Sequence, residues 1–400
     1  MIRKLLPILG ITFIDIIGFS MLLPILPYFV THFGMSAAVV GFLVATFSLC
    51  QLISGPIWGN VSDRIGRKAV LIISQIGATI GWAMLAFAGN IFWVFIARIV
   101  EGTSGGNIGI TQAYVADLVE PKDRSRAFGL IGAMFAAGMV FGPVGGGALF
   151  ARFGFEAPFL AASALQFLTL ILTIVLLPES RSKAVDGEAH VGLRDIAATL
   201  RNPRLSRILW QKLALSLALY GWYASIALYL QGQLHFGVVT TTEYFSGFAL
   251  VNVAINGFGI EKTSNKLGDR AMSTIGLCSL LTGFAIVPFA HNFWMVGIAM
   301  GFFALGGAFA NNGITALISN AAAEREQGTV LGVSSSLDSL SGIIAPPIST
   351  GMLSKYGSPY AGVESFVLAA VALVMGIAAA PNDAKYLRNT APLPEVSPET

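Results

Sequence analysis

Five ionisable side chains fall within long apolar stretches of this sequence: Asp15, Arg98, Glu101, Lys212 and Asp338. A charge at the centre of a membrane costs about 2.5–3.5 kcal/mol or more, so such residues need a reason to be there. Burial favours the neutral form of a carboxylate, whereas a nearby Arg favours its charged form. A carboxylate whose hydration changes can therefore bind a proton in one state and release it in another.

The depth of each residue within its apolar stretch suggests its role. At ~1.5 Å per residue, Asp15 lies ~15 Å into the first stretch, and we predict that it is the principal proton carrier. Arg98 and Glu101 are three residues apart and so share a helical face. We predict that they are a coupled pair that biases the proton affinity of Asp15. The structural alternative also stays open, with Arg98–Glu101 as an ion pair that fixes its helix and Asp15 hydrogen-bonded to a neighbouring helix.

Two further residues complete this set. Asp338 lies ~13 Å into its apolar stretch and shares a helical face with Ser334 and Ser341. We predict a proton-coupling role for Asp338, while hydrogen bonding between helices by the serines is the alternative. Lys212 lies near the inner end of its stretch, where its ammonium group is expected to reach the lipid headgroups. It receives no role.

The composition indicates a membrane protein. The 400 residues are 55% hydrophobic and only 11% charged, against about 25% charged in soluble domains. Lys and Arg are scattered between apolar stretches instead of forming one basic surface, so no nucleic-acid partner is predicted. Because backbone polar groups in lipid must be paired internally, the stretches are predicted to be helices. We place twelve spans at about 5–30, 38–60, 69–89, 91–118, 127–150, 157–177, 208–231, 243–262, 272–290, 293–319, 329–353 and 362–381.

The positive charges give the orientation. If both termini are cytoplasmic, 20 of the 24 Lys and Arg residues fall in cytoplasmic segments. The predicted fold is therefore all-α and integral to the membrane, with twelve transmembrane helices in two six-helix bundles. The bundles cover residues 1–180 and 208–381. Residues 181–207 form a cytoplasmic linker with a short amphipathic helix, and residues 382–400 form a disordered cytoplasmic tail.

The two halves resemble each other in sequence. The same glycine and proline spacing occurs in the fifth and eleventh spans, as Gly138, Pro143 and Gly147 and as Gly342, Pro347 and Gly351. The loop between spans 2 and 3 has a weaker counterpart between spans 8 and 9, at residues 261–270. Two repeats related by an axis normal to the membrane, with a substrate site between them, are a known plan of transporters.

The loop between spans 2 and 3 is predicted to act as a cytoplasmic gate. The residues assigned to this gate are Gly59, Asp63, Arg64, Gly66, Arg67 and Asp117. Asp63 is expected to face the positive N-terminus of the eleventh span, near Gly328, and Arg67 to reach Asp117. Such contacts would close the inner side and break on opening. The alternative is that the loop only sets topology through its positive charges.

Polar and aromatic residues within the spans are candidates for lining a substrate cavity, although amides in membrane helices also bond simply to neighbouring helices. The candidates are Gln51, Asn107, Gln112, Gln211, Tyr220, Trp222, Asn252, Asn256, Asn311 and Asn312. Three deep carboxylates against one deep Arg favour neutral, zwitterionic or cationic solutes.

These features resemble the major facilitator superfamily over nearly the whole chain, and residues 59–68 resemble its motif between helices 2 and 3. The sequence is most similar to the drug:proton antiporter branch, above all to tetracycline pumps. The motifs that carry this likeness are Asp15-Ile-Ile-Gly18, Pro24-Ile-Leu-Pro27, Arg98 with Gly102, Ala116-Asp117 and Leu177-Pro178-Glu179-Ser180. Gly138, Gly142, Pro143 and Gly146 resemble the helix 5 motif of antiporters. The resemblance implies that they pack against the other half and limit proton leak, and ordinary helix packing is the alternative.

The likeness has two departures that bear on the substrate. Tetracycline pumps carry aspartates in helices 3 and 9, and those positions fall at Gly81 and near Leu280. The resemblance thus implies an antiporter, but does not imply tetracycline as its substrate.

We expect a monomeric, multi-pass protein of a bacterial inner membrane. The predicted function is proton-coupled export of a small organic compound by alternating access. Uptake by symport or facilitated diffusion is the alternative, and a receptor or scaffold without transport is a third class. No catalytic or metal-binding constellation and no phosphate-binding loop occurs in the sequence, so neither an enzyme nor a cofactor is expected.

Overall fold

A computed structural model describes residues 2–105, 107–120, 123–180, 205–322 and 327–378, and these residues are almost entirely helical. The α-helices are α1 (Ile2–His32), α2 (Ala37–Ile65), α3 (Arg67–Ala86), α4 (Ile91–Ser104), α5 (Asn107–Leu118), α6 (Arg124–Phe153), α7 (Glu156–Leu176), α8 (Ser206–Leu234), α9 (Val238–Ala254), α10 (Ile260–Leu267), α11 (Asp269–Ile286), α12 (Phe293–Ala321), α13 (Gln327–Tyr356) and α14 (Val363–Ala378).

Ten helical segments in the described part of the chain are long and apolar enough to cross a membrane. They correspond to ten of the predicted spans. The fourth predicted span is divided into α4 and α5, and the eleventh corresponds to α13, which is rich in serine and proline. The predicted eighth span overlaps most of α9, includes one π-helical turn at Ile255–Gly259 and ends within α10. The predicted linker helix lies mostly in 181–204, and that segment and the predicted tail lie outside the described residues.

The helices pack in two groups that follow the chain order. In the first group α1 packs against α6 and α7, and α3 packs against α4 and α7. In the second group α8 packs against α13 and α14, and α11 packs against α12. Small residues permit the closest approaches, because without a Cβ two helix backbones can touch. A Cβ on Gly276 would lie 2.9 Å from the carbonyl of Gly306, and a Cβ on Gly306 would lie 2.8 Å from the carbonyl of Gly276.

Two helix pairs, α2 with α13 and α6 with α9, form most of the contact between the groups. The hydrogen bonds recorded between the groups in the described residues lie toward one end of the molecule. Tyr28 donates to the Phe236 carbonyl at 2.7 Å and is 2.6 Å from Thr241 Oγ1. Gln231 donates to Thr31 at 3.2 Å. These contacts hold the ends of α1 and α8 that are distant from the loop between α2 and α3.

The helix 5 motif lies on α6, and the structure corrects the expected packing of this motif. Gly138, Gly142 and Gly146 face α1, which belongs to the same group, where a Cβ would meet Ile16, Ser20 or Met21. Gly147, one residue beyond the motif, does face the other group, at Thr242 of α9. Pro143 lies inside α6. The glycines therefore serve mainly to bring α1 close to α6.

The two groups also share a loop geometry. Gly66 joins α2 to α3 with φ 101°, and Gly268 joins α10 to α11 with φ 79°, a region that favours glycine. In the first group, the residues around this turn bond to the ends of α5 and α7. In the second group, Asp269 accepts from Asn320 at the end of α12 at 3.1 Å, and Arg270 donates to the Gly376 carbonyl of α14 at 2.9 Å. The sequence repeat of the two loops is thus matched by similar turns at Gly66 and Gly268, each tied by hydrogen bonds to neighbouring helix ends.

Candidate functional site

Asp15 lies in the middle of α1, where α1 packs against α7. Beside it are Gln166 and Thr169 of α7, and both of these side chains are buried. Gln166 donates to the Thr169 hydroxyl at 3.3 Å, and that hydroxyl donates to the Gln166 carbonyl at 2.8 Å. The Oδ1 atom of Asp15 is buried and has no hydrogen-bond partner. The first seam, defined as Asp15, Gln166 and Thr169, thus contains a carboxylate with unused hydrogen-bonding capacity.

Arg98 and Glu101 form a buried ion pair on α4, as their spacing predicts. Their side chains are 3% and 5% exposed, and Arg98 Nη2 contacts Glu101 Oε2. The guanidinium also lies over the rings of Phe47 and Trp82, with its central carbon 5.6 and 5.5 Å from their centroids. The opposite charges of Arg98 and Glu101 cancel, so the pair has no net charge. The cation–π contacts stabilise the charge of Arg98 further.

Gly81 of α3 lets the Glu101 side chain pack directly against the backbone of α3. A Cβ on Gly81 would collide with the Cγ of Glu101. Gly81 stands where the resemblance to tetracycline pumps implies an aspartate. The Glu101 side chain occupies the space that a side chain at position 81 would need. Leu280, at the second such position, is fully buried in the hydrophobic core.

Asp338 on α13 also has a cationic partner, and this partner is Lys212. Lys212 Nζ lies 3.0 Å from Asp338 Oδ1 and donates to Asn311 Oδ1 at 2.7 Å. Ser216 donates to the same Asp338 oxygen. The Lys212 side chain is 3% exposed, so it does not reach toward the headgroups as expected from sequence, whereas Asp338 is 33% exposed. This pair could not be predicted from the sequence, because the two residues are 126 positions apart.

The cavity candidates divide according to their exposure. Those that are exposed or half-buried are Gln51, Gln112, Tyr220, Asn252, Asn256, Asn311 and Asn312. Asn256 donates to Asn252 Oδ1 at 2.6 Å and accepts from Asn312 at 3.3 Å, which links the π-helical turn to α12. π-Helical turns within α-helices often occur at functional sites. The side chain of Asn107 lies outside the described residues.

Two of the cavity candidates lie in the protein interior instead. Trp222 is buried and packs against the rings of Phe284 and Phe303 at centroid distances of 5.5 and 4.6 Å. Gln211 is also buried and faces Gly376 of α14. These positions correct the expectation that both residues line a cavity, since helical spacing alone does not say which face of α8 is covered.

The predicted gate residues form a cluster within the first group of helices. Arg67 pairs with Asp63 at 2.8 Å and with Asp117 at 3.5 Å, so the predicted contact to Asp117 is present. The predicted contact of Asp63 with the eleventh span involves residues 327–329, whose side chains lie outside the described residues. Arg64 is exposed. A glycine at position 59 also suggests a tight helix contact, but nothing in the described part of the chain lies within 4 Å of its Cβ position.

Glu179 belongs to this cluster, although no gate role was predicted for it from the sequence. Its Oε1 accepts from the backbone N–H groups of Arg67 at 2.9 Å and Lys68 at 3.4 Å. N–H groups in the first turn of a helix have no partner within the helix, so a carboxylate at the start of α3 is favoured. Ser180 then donates to Asp117 at 3.3 Å. The cluster therefore ties together the ends of α2, α5 and α7.

Comparison with known proteins agrees with this architecture. The sequence model of the Major Facilitator Superfamily matches residues 8–270 and 244–399. The class C tetracycline resistance protein of Escherichia coli is 31% identical over 387 residues, which are 93% of this chain and 95% of that protein. Multidrug resistance protein 2 of Bacillus subtilis is 27% identical over 376 residues, covering 91% of each.

A solved structure shows the same fold. It is that of a bacterial homologue of the human lysosomal transporter Spinster, in an inward-facing and unoccupied conformation. It is 16% identical, covers 98% of each chain and has a TM-score of 0.81.

The predicted resemblance to tetracycline and multidrug efflux pumps is confirmed by these relatives. Their bacterial origin and the ten apolar helices identify a multi-pass protein of the bacterial inner membrane. The match is to transporters and not to enzymes. Because the family model covers most of its length, the chain belongs to the Major Facilitator Superfamily.

Proposed function

We propose that the chain is a proton-coupled secondary transporter that exports a small, drug-like organic compound by alternating access. The observation that carries this proposal is the state of Asp15. Glu101 and Asp338 each have a cationic partner, whereas no ion pair to Asp15 is recorded in the described residues, and one of its oxygens has no partner. A buried carboxylate without a cation is costly when charged, so it is suited to carry a proton.

The proposal includes the topology. We place twelve spans with both termini in the cytoplasm, α4 and α5 together forming the fourth span and α13 the eleventh. Residues 1–180 and 208–381 form the two six-helix bundles, with a cytoplasmic linker at 181–207 and a cytoplasmic tail at 382–400. The distribution of Lys and Arg supports the orientation, and the packing of the helices in two groups supports the bundles.

The contacts between the bundles suggest how the cycle works. In the proposed topology the hydrogen bonds of Tyr28 and Gln231 lie at the outer end, so this state is closed to the outside. The printed contacts of Arg67 in the gate cluster, among the residues that the structure describes, join helices of the first bundle. A substrate would thus enter from the cytoplasm, and rocking of the bundles would expose both it and Asp15 to the outside.

Exposed polar and aromatic residues of the second bundle suggest the kind of substrate. Tyr220 offers an exposed ring, and the amides of Asn256 and Asn312 offer hydrogen bonds. Aromatic compounds with several polar groups fit such a surface. The names of the relatives, a tetracycline resistance protein and a multidrug resistance protein, support the same class of compound. A monomer can carry out the whole cycle, and we propose that the protein acts as one.

Purified protein in liposomes containing a pH-sensitive dye tests the proposal. Tetracycline, quinolones, phenicols and lipophilic cations are added under an imposed pH gradient. We expect at least one compound to drive proton movement in the direction opposite to its own, and Asp15→Asn to abolish that movement. Asp123→Asn is the matched control, because this aspartate lies at the start of α6 and makes no side-chain capping bond.

The other outcomes each contradict a part of the proposal. Proton movement in the same direction as the compound would indicate a symporter. Full substrate-driven proton movement by the Asp15→Asn protein would exclude Asp15 as the carrier. The absence of transport across the whole panel would favour a receptor or scaffold.

A further inference from the structure

Among the described residues, Asp338 of α13 is held by only one of its two carboxylate oxygens. Its Oδ1 lies 3.0 Å from Lys212 Nζ and accepts from Ser216. No ion pair or hydrogen bond of its Oδ2 is recorded in this part of the chain. The Asp338 side chain is 33% exposed, whereas the Lys212 side chain is 3% exposed. The carboxylate is therefore anchored on one side and accessible on the other.

Asp338 lies beside a gap between α2 and α13. Gly342 is one turn from Asp338 on the same face of α13, and its Cβ position lies 3.0 Å from Ser48 Oγ of α2, so the two groups of helices touch at this level. Gly55 and Gly59 follow on the same face of α2, and nothing in the described part of the chain lies within 4 Å of their Cβ positions. Because α2 and α13 run in opposite directions, Asp338 lies on this open side of the contact.

An aromatic ring lies one turn away from this carboxylate. Cε1 of Tyr220 is 3.4 Å from the Cβ position of Gly342, and Tyr220 is 37% exposed. Lys212, Ser216 and Tyr220 follow one another at four-residue spacing, so one face of α8 carries both the anchors of Asp338 and the ring. Four residues of α13 separate Gly342 from Asp338, which places the ring and the carboxylate ~6 Å apart along the helix.

The ion pair presents its negative end to the gap. Lys212 Nζ is buried against α12, where it also donates to Asn311 Oδ1 at 2.7 Å. Two partners at hydrogen-bond distance on opposite oxygens of one carboxylate are about 6 Å apart. Because the Coulomb interaction falls with distance, a charged group at Oδ2 interacts more strongly with the carboxylate than with the ammonium group of Lys212. A positively charged hydrogen-bond donor therefore fits this position, and an anion does not.

Exposure distinguishes Asp338 from the other deep carboxylate that has a cationic partner. Glu101 is 5% exposed and packs against the backbone of α3, so a solute has no access to it. The accessible carboxylate and ring of the second group of helices lie close enough together to contact one small molecule. A flat ring stacks on an aromatic side chain, and an ammonium group on a short arm then reaches the carboxylate.

We propose that Asp338 and Tyr220 form a binding subsite for an aromatic amine, whose ammonium group donates to Asp338 Oδ2 while its ring packs on Tyr220. Lys212 anchors the carboxylate and, as a like charge nearby, limits the affinity for the amine. Asp338 thus contacts the substrate instead of coupling protons, the role predicted for it from sequence. Export of the bound compound rests on the proposed function, whereas binding rests only on these contacts.

Equilibrium dialysis of the full-length protein in lipid nanodiscs at pH 7 tests the subsite with naphthylethylamine and naphthylethanol. The two compounds share one ring system, and only the amine is charged at this pH. We expect the protein to bind the amine about tenfold more tightly, as for a hydrogen bond between charged groups. The ratio of the two Kd values is compared between variants, because partitioning into lipid then cancels. Tyr220→Leu should weaken the binding of both compounds.

Two variants of the ion pair should change the preference for the amine in opposite directions. Lys212→Met removes a like charge about 6 Å away and should raise the preference at least about threefold, even in the dielectric of water. The double variant, Lys212→Met with Asp338→Asn, removes the carboxylate as well and should abolish the preference. Lys355→Met is the matched control, because this lysine contacts the ring of Tyr356, and it should leave the ratio unchanged.

The opposite signs separate binding from damage to the fold, which would lower the affinity in both variants. Changes in the same direction, an unchanged ratio, equal Kd values for the two compounds in the unaltered protein or no binding of the amine would each overturn the subsite. If the amine binds as expected but no compound drives proton movement, the proposed function fails and the subsite stands. If compounds drive proton movement while the ratio is the same in all variants, the subsite fails alone.

Discussion

The Lys212–Asp338 pair predicts an unequal cost for removing its two partners. Asp338→Asn would leave the ammonium of Lys212, which is 3% exposed, with Asn311 as its remaining recorded partner. Lys212→Met would leave Asp338, which is one-third exposed and still accepts from Ser216. A charge that keeps access to water loses less when its partner is removed than one that is fully buried.

The magnitudes follow from this difference. Breaking a buried pair so that a buried charge remains costs about 3–5 kcal/mol, which we expect for Asp338→Asn. Losing a hydrogen bond to a charged group costs about 1.5–3 kcal/mol, and we expect the lower end of that range for Lys212→Met. The double variant removes both charges. It should therefore be more stable than the sum of the single effects indicates, by at least about 1 kcal/mol.

Equilibrium unfolding in mixed detergent micelles, followed by tryptophan fluorescence, measures these free energies. Lys355→Met is the control, since this lysine contacts only the exposed ring of Tyr356 in the recorded interactions, and we expect a change within about 0.5 kcal/mol. If Lys212→Met destabilised the protein more than Asp338→Asn, the burial argument would be refuted. Strict additivity in the double variant would show that the two side chains do not interact.

Two further predictions concern the helix contacts that shape the cycle. Gly142→Ala should destabilise the protein by more than about 1 kcal/mol in the same unfolding assay, because its Cβ would overlap α1. Gly132→Ala is the control, since nothing lies within 4 Å of the added atom, and it should not destabilise the protein. Equal effects of the two substitutions would contradict the packing. Tyr28→Phe removes hydrogen bonds at the outer end worth about 0.6–1.7 kcal/mol. Hydrogen exchange at the outer ends of α1 and α8 should therefore become about three- to eighteen-fold faster, since about 1.4 kcal/mol is a factor of ten. Tyr360→Phe, at an exposed residue, should leave it unchanged.

Much of the architecture could be predicted from the sequence. Apolar stretches of about 20 residues can only be helices in lipid, and ten of those predicted are present as apolar helices of spanning length. Local spacing also sufficed for the Arg98–Glu101 pair, because three residues along one helix place two side chains side by side whatever the rest of the protein does. The turn at Gly66 was predictable from its residue type, because glycine adopts a positive φ without steric cost.

Which face of each helix is covered was decided only by the tertiary structure. The same helix α8 buries Trp222 and exposes Tyr220, and in a membrane span both faces are apolar, so the sequence gives no amphipathic pattern to distinguish them. The helix 5 glycines were placed against the wrong neighbour for this reason. Their spacing predicts a close approach of two helices, but does not specify which helix approaches.

The sequence by itself determined a helical membrane protein and indicated two related halves, and it identified Asp15 and Arg98 as ionisable residues within apolar helices. Only the tertiary structure decided which carboxylates have a cation beside them. Asp338 and Lys212 are far apart in sequence yet in contact, whereas Asp15 Oδ1 is buried with no hydrogen-bond partner. The charge state of a buried group depends on its neighbours in space, and the order of residues along the chain does not contain those neighbours.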